Sequence, residues 1–179
     1  YPLRSLGFKG DNNHKIDICL WDFLNSNIKK IDETHIWSWE QGSRLQWLDS
    51  SSLIYNKNQN QNPGSIIFNT SNNKSKKLNT CLYSINNNGV ILSFNYSRLW
   101  KFWKSYGYSG LDSFPINIDN KKPNDDGIFI SDLNNNNKII LSVYEAVKLC
   151  GLENIDKEFF LCFPTFNSLG NKFVSLLRY

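Results

Sequence analysis

The sequence predicts an all-β chain, because a fourteen-residue hairpin pattern occurs in it three times. The copies are residues 18–31 (ICLWDFLNSNIKKI), 65–78 (SIIFNTSNNKSKKL) and 128–141 (IFISDLNNNNKIIL). Each copy begins with strand-forming residues and carries Asp22, Asn69 or Asp132 at its fifth position. Short Asn and Asp side chains bond to nearby backbone and suit a turn, whereas Val, Ile and Phe fit a pleated surface.

A second type of hairpin precedes two of the repeated hairpins and occurs once more near the end of the chain. It is found at residues 44–56, 81–96 and 160–177, with turns at 49–52, 86–89 and 167–170. Joined to the repeated type, it gives units of four antiparallel strands. We therefore divide one partial domain, residues 1–179, into a half unit at 18–31, a unit at 44–78, a unit at 81–141 with an insertion at 97–126, and a half unit at 159–179.

Four-stranded units in tandem are typical of the blades of a β-propeller. A β-sandwich also has short strands at regular spacing, but the three matched hairpins favour the propeller. A closed propeller needs at least about four blades, so two blades and two half blades indicate a fragment. Its unpaired strand edges would promote aggregation if the chain were expressed alone.

Strand-forming runs and turn residues place eight strands within these units. They are predicted at residues 18–23, 44–48, 53–56, 66–69, 82–85, 90–94, 128–132 and 138–141. Residues 142–149 (SVYEAVKL) have apolar positions at helical spacing and predict a short helix. The insertion at 97–126 is long, and its aromatic residues argue against disorder and for a functional role.

Composition excludes several classes of function. The net charge is +4 without a block of five like charges, so no nucleic-acid partner is predicted. No apolar stretch approaches the roughly 18 residues of a membrane span, so no membrane partner is predicted either. Three of the four cysteines, Cys19, Cys81 and Cys162, lie in apolar runs and are predicted to be buried thiols, which favours a reducing, cytoplasmic compartment; the fourth is Cys150.

Two sets of segments carry a resemblance to known proteins. SINNNGVILSF (84–94) and FNSLGNKFVSL (166–176) resemble the TolB-type, WD-like propeller repeat, in which a turn ending in Gly separates the first two strands of a blade. THIWSWEQGSRLQWL (34–48), SRLWKFWKSYGYSG (97–110) and DDGIFISDL (125–133) are similar to a group of uncharacterised bacterial propeller proteins. That resemblance implies the fold and leaves the activity open.

A more distant similarity links the chain to the oligogalacturonate-lyase propellers. The resemblance to that family implies a divalent metal held by several histidines and a glutamine. This sequence contains only His14 and His35, and it has Phe159 and Phe160 where related propellers often carry a histidine. No metal or other cofactor is therefore predicted.

The direction of the strands locates a candidate binding face. In an up-and-down blade the short Asn-rich turns share one end, and the long connections at 32–43, 57–63, 97–126 and 142–158 share the other. Binding residues concentrate on loops held by a rigid scaffold, so we place function on this aromatic loop face, near the central channel.

Two groups of side chains on this face suit a sugar, especially an acidic one. The predicted ligand-binding residues are Trp37, Trp39, Gln41, Arg44, Arg98, Tyr106 and Tyr108. Trp rings can stack on an apolar sugar face, and Arg can bind a carboxylate through two bonds. The two groups are expected to converge at the channel mouth, with Arg44 partly exposed.

Structural alternatives stay open for each group. Trp37 and Trp39 would fill the space between blades, and the insertion would pack on its own aromatic rings. Arg44 would be buried against Glu40 or Asp126.

Other polar residues give weaker signals. Asp125 and Asp126 could bind a metal or transfer protons, but an Asp-Asp-Gly sequence entering a strand is more often a turn. His35 could act as a base or a metal ligand, but the sequence identifies no partner for it. Catalytic residues therefore remain unassigned.

The sequence predicts a ligand-binding or protein-interaction propeller. Its partner would be a glycan or another polar small molecule, or a protein, bound on the aromatic loop face. The alternative is a metal-assisted polysaccharide lyase or hydrolase, so whether the chain is an enzyme stays open.

Overall fold

The computed structural model describes residues 15–59, 62–108 and 119–179. His14 and the middle of the predicted insertion lie outside the described residues. The strands are β1 (Ile16–Asp22), β2 (Asn27–Thr34), β3 (Gln46–Trp47), β4 (Ser52–Gln59), β5 (Asn62–Asn69), β6 (Ser75–Leu78), β7 (Ser84–Ile85), β8 (Ile91–Phe94), β9 (Gly127–Ser131), β10 (Asn137–Ser142), β11 (Phe160–Phe166) and β12 (Phe173–Arg178). The helices are α1 (Tyr96–Phe102) and α2 (Val143–Leu149).

The described strands form antiparallel sheets in which neighbours in sequence are neighbours in space. Strands β3 to β6 form one four-stranded sheet and β7 to β10 form another. The hairpins β1–β2 and β11–β12 form two-stranded sheets before and after them. The prediction of an all-β chain with four-stranded antiparallel sheets is thus confirmed.

All eight predicted strands overlap an observed strand. The predicted helix is also confirmed, as α2, and a capping box in which Ser142 and Glu145 bond reciprocally to backbone N–H groups fixes its start. Helix α1 was not predicted, although Asn95 caps it by accepting a bond from the Arg98 backbone N–H at 3.0 Å. The aromatic residues of this segment (YSRLWKF) give no clear helical spacing of apolar and polar positions in the sequence.

The hairpin turns are organised by one side chain each. The first Asp or Asn of a turn accepts hydrogen bonds from backbone N–H groups that follow it, as Asp132 does from Asn134 at 2.7 Å and from Asn136 at 3.0 Å. The other residues with this role are Asp22, Asp49, Asn69, Asn86 and Asn167. These bonds satisfy backbone donors that the strands leave unpaired, so the first residue of each Asn-rich turn has a structural role.

Within the described residues, three clusters of buried apolar side chains hold the sheets together, and the largest lies between the second four-stranded sheet, both helices and β11. Cys81 and Cys162 belong to it as predicted, and burial raises the pKa of their thiols to about 12 and about 11. The prediction that Cys19 is buried is wrong, because it lies on a face of the β1–β2 hairpin that no other described element covers.

Asn56, at the end of the apolar part of β4, connects several segments through a fully buried polar network. Its amide nitrogen donates to the Leu82 carbonyl at 2.9 Å and to the Tyr108 hydroxyl at 2.7 Å. Its amide oxygen accepts from the Leu82 N–H at 2.7 Å and from the Ser65 hydroxyl at 2.9 Å. The Asn56 carbonyl accepts from the Thr34 hydroxyl at 3.0 Å, so three consecutive sheets meet at one residue.

Replacing Asn56 by Ala should destabilise the fold by about 3 kcal/mol, because several buried groups lose their partners at once and each costs about 1–3 kcal/mol. Asn58→Ala is the matched control, since Asn58 lies two positions along the same strand and is exposed. Urea unfolding of the two variants measures the difference. Equal stabilities would contradict the connecting role of Asn56.

Candidate functional site

The loop before β3 presents the first predicted group of binding residues. Ser38 and Gly42 bond to each other through their backbones, with the Ser38 N–H 3.1 Å from the Gly42 carbonyl and the reverse bond at 2.8 Å. This tight turn places the rings of Trp37 and Trp39 edge to face, with centroids 5.2 Å apart. Trp37 is partly buried while Trp39 is 56% exposed, so the Trp39 ring leaves an aromatic surface accessible.

Two buried polar atoms of the same turn lack a hydrogen-bond partner within the described part of the chain. They are the Gln41 side-chain oxygen and the Ser38 hydroxyl. Buried polar atoms are rarely left unsatisfied, so each can accept a bond from a bound water or ligand.

Arg44 is held in one position by Tyr83, the residue immediately before β7. Its Nε and Nη2 donate to the Tyr83 carbonyl at 3.0 and 2.7 Å, and its guanidinium carbon lies 3.8 Å from the centroid of the Tyr83 ring. Burial raises the pKa of the Tyr83 hydroxyl, and the nearby Arg44 charge acts against that shift.

Arg44 is partly buried, as predicted, and it has no carboxylate within ion-pair distance among the described residues. The alternative in which it pairs with Glu40 or Asp126 is therefore wrong. Its backbone has a φ of +57°, a left-handed conformation that costs a side-chain-bearing residue about 1 kcal/mol or more.

Arg44 lies at a cleft of about 340 Å³ that the sequence did not predict. The first strands of three consecutive sheets, β3, β7 and β11, line this cleft together with the turns that follow β7 and β11. The Asn86 amide spans the two turns by donating to the Gly170 carbonyl at 2.9 Å. Polar groups of Ser84, Asn87 and Ser168 complete the lining.

The second predicted group does not line this cleft, because Arg98 is part of the core. Its Nε lies 2.5 Å from Asp126 Oδ2, and both side chains are 2% exposed. Further Arg98 nitrogens donate to the Asn120 carbonyl at 3.1 Å and to the Phe159 carbonyl at 3.4 Å. The Asn95 amide donates to the same Asp126 oxygen at 2.8 Å, so this charge pair is enclosed by polar partners.

Tyr108 and Tyr106 also pack inside the protein. The Tyr108 ring stacks on Tyr96 with centroids 4.2 Å apart, and burial raises the pKa of its hydroxyl. The partly buried Tyr106 ring packs on Trp103 at 4.0 Å and on Phe163 at 5.3 Å. The predicted convergence of Arg98 and Tyr108 with Arg44 at one cleft is thus wrong, because α1 directs the start of the insertion into the core.

The remaining candidates are separated from one another. Asp125 and His35 are exposed, while Asp126 is buried against Arg98. No group of three or more His, Cys, Asp or Glu side chains able to hold a metal occurs within residues 15–59, 62–108 and 119–179.

No sequence pattern indicates that the turns after β7 and β11 meet near Arg44. The sequence analysis places these Asn-rich turns at the end opposite the predicted binding face, and the structure differs because the turns line the cleft at Arg44. Only Arg44 and the amide chemistry of Asn87 could have suggested a polar cleft, and neither reveals which strands are neighbours in space.

Replacing Asp126 by Ala should destabilise the chain by about 3 to 5 kcal/mol, because it leaves the Arg98 charge buried without its partner. Asp125→Ala is the matched control and should change stability by less than about 0.5 kcal/mol, since Asp125 is exposed. Thermal unfolding compares them. Adding Arg98→Leu to Asp126→Ala should recover part of the loss, and no recovery would contradict the charge-pair explanation.

Comparisons with protein-family models, with curated proteins and with solved structures found no match to this chain. The resemblances noted in the sequence therefore stay predictions. No helix in the described part of the chain is long and apolar enough to cross a membrane.

Proposed function

We propose that the chain is part of a β-propeller that binds a polar, carboxylate-bearing ligand, with an acidic carbohydrate as the best candidate. Arg44 would contact the carboxylate in the cleft between β3, β7 and β11. The proposal keeps Arg44, Trp39 and Gln41 from the predicted site and replaces Arg98 and the two tyrosines by the polar groups of the cleft.

The single observation that carries the proposal is the state of the Arg44 side chain. Two of its nitrogens are fixed on the Tyr83 carbonyl, which leaves Nη1 without a hydrogen bond to a described residue. A guanidinium that is immobilised beforehand loses little entropy when it binds an anion. Since no described carboxylate neutralises it, an acidic ligand would supply the missing charge.

The backbone at Arg44 supports the same conclusion. A glycine at position 44 would adopt the φ of +57° without strain, yet the chain has an arginine there. A strained position at the edge of a cleft is typical of functional residues. The cost of the conformation is offset if the side chain is needed at that point.

The rest of the site can recognise hydroxyl groups. The hydroxyls of Ser84 and Ser168 and the Asn87 amide can each donate or accept a bond. Trp39, five residues before Arg44 on the same loop, has an exposed ring that suits stacking on a sugar face. The combination of amides, hydroxyls and one Arg in the lining of the cleft suits an acidic sugar better than an apolar ligand.

The order of the sheets supports the propeller part of the proposal. Each described four-stranded sheet is a simple meander, and the first strands of consecutive sheets line one cleft. In a propeller the first strand of every blade lies next to the central channel. A metal-assisted lyase remains the alternative function, but the described residues supply no favourable ligand group for it.

Arg44→Ala should weaken binding of an acidic oligosaccharide roughly ten- to a hundredfold, which corresponds to about 1.5 to 3 kcal/mol for a charge-assisted hydrogen bond. A glycan array containing neutral and uronic-acid oligosaccharides identifies the ligand, and calorimetry then measures its affinity. Arg44→Lys should recover only part of the affinity, because Lys keeps the charge but loses the planar, two-bond geometry.

Arg178→Ala is the matched control, because Arg178 is exposed over the Trp103 ring and its loss changes the net charge equally. It should leave the affinity unchanged. Equal affinities of Arg44→Ala and the parent chain would contradict the proposal. A parent chain that binds no acidic glycan, together with a collapsed melting temperature of Arg44→Ala, would show that Arg44 is purely structural.

A further inference from the structure

The hairpin β11–β12 corresponds to the first half of the complete sheet β7 to β10. The Ser175 hydroxyl donates to the Cys162 carbonyl at 2.9 Å, and the Ser93 hydroxyl donates in the same way to the Cys81 carbonyl. The strand pairs next to the turns also correspond, with Phe166 opposite Phe173 and Ile85 opposite Ile91. Strand β12 is therefore the equivalent of β8.

The hairpin β1–β2 corresponds to the second half of the same sheet. In the pairing of β1 with β2, Ile31 is left without a partner between the partners of Ile18 and Cys19. In the pairing of β9 with β10, Ile140 is likewise left without a partner between the partners of Ile128 and Phe129. In both hairpins the register shift falls at the same step of the first strand, and a bulge is a specific structural feature. Strand β1 is therefore the equivalent of β9.

The chain thus carries the first half of a sheet at one end of its array and the second half at the other. In the complete sheet β8 pairs with β9, but among the described strands β12 pairs only with β11 and β1 only with β2. Val174 and Leu176 of β12 are 72% and 51% exposed, whereas the equivalent Leu92 and Phe94 are 0% and 3% exposed. Burying the exposed apolar side chains of an edge strand against another strand is favourable and promotes the association of strands.

We propose that β12 of one copy of this chain pairs antiparallel with β1 of a second copy, in the register that β8 adopts with β9. That register joins Ile91 to Ser131, Leu92 to Ile130, Ser93 to Phe129 and Phe94 to Ile128. Transferred to the equivalent strands, it joins Phe173 to Trp21, Val174 to Leu20, Ser175 to Cys19 and Leu176 to Ile18. The inference does not depend on the ligand proposed for the Arg44 cleft.

Charge complementarity favours a second copy in this register. One position before the first of these pairs, next to the two turns, the exposed Lys172 of one copy faces the exposed Asp22 of the other. Hydrogen bonds from Asn25 lower the pKa of Asp22, so it is charged at neutral pH. Opposite charges directly across two strands stabilise the pair, whereas like charges would oppose it.

The same pairing places apolar residues together on one face. Val174 and Leu176 of one copy would lie beside Leu20 and Ile18 of the other, as Leu92 and Phe94 lie beside Ile130 and Ile128. A symmetric pair of copies can form this contact twice and leave neither edge open. Each such contact would complete one four-stranded antiparallel sheet shared by the two copies.

Disulfide cross-linking between two different chains tests the register. One chain carries Cys19→Ser with Ser175→Cys, the other keeps Cys19 and Ser175, and both carry Cys150→Ser to remove the other exposed thiol. The proposed register brings the two thiols opposite each other on one face, so mild oxidation should give a covalent dimer of the two chains. The chains are mixed at equal concentration before oxidation.

Leu176→Cys in place of Ser175→Cys is the matched control, since neighbouring residues of a strand point to opposite faces. It should give about tenfold less cross-linked dimer, because its thiol is directed away from Cys19. Equal yields from the two variants would overturn the register. A cross-link formed within a single chain that carries both Cys19 and Ser175→Cys would overturn the role of a second copy.

Sedimentation of the unmodified chain provides a second readout that does not require a cysteine variant. The proposal predicts a dimer that Leu176→Asp converts to monomer, because the substitution places a charge on the apolar face at an exposed position that the fold of one copy does not need. Monomer alone at about 100 μM, a concentration far above the dissociation constants of stable interfaces, would overturn the proposal.

Discussion

The fold depends on one buried amide. Asn56 uses both ends of its side chain to bind the segment that starts the next sheet, and its backbone carbonyl holds Thr34 at the end of the preceding hairpin. Apolar contacts between sheets are tolerant of small shifts, whereas a buried amide with several partners has one satisfactory geometry. The relative position of consecutive sheets, and with it the cleft between their first strands, therefore follows from this polar network.

Two arginines of the chain illustrate how surroundings decide the role of a side chain. Arg98 is enclosed by Asp126 and by backbone carbonyls, so its charge stabilises the fold and is not available to a ligand. Arg44 is held by the Tyr83 carbonyl and ring without a described acidic partner. A partly buried charge without an opposite charge lowers the stability of the fold, and binding of an anion by that charge would offset the loss.

The repeated hairpins leave one strand edge without a described neighbour at each end of the array of sheets, on β1 and on β12. The backbone N–H and C=O groups of a strand are hydrogen-bonded only on the side where a neighbouring strand is present. Because the repeat alternates two hairpin types, the open edge of one type is complementary to the open edge of the other. The β1–β2 and β9–β10 hairpins both shift register after the first residue of their repeat, on Ile18 and Ile128, which supports the equivalence of β1 and β9. The proposed binding at the cleft and the proposed pairing at the edges thus rest on separate features of one repeated architecture.

The sequence by itself determined the all-β class, the strands, the turns and helix α2, because these depend on residues close together in the chain. Tertiary structure decided which candidate residues remain accessible. Arg98 is buried through Asp126, 28 positions away, and through Phe159, 61 positions away. Such contacts leave no local pattern, so Arg44 and Arg98 look alike in sequence and differ in the folded protein.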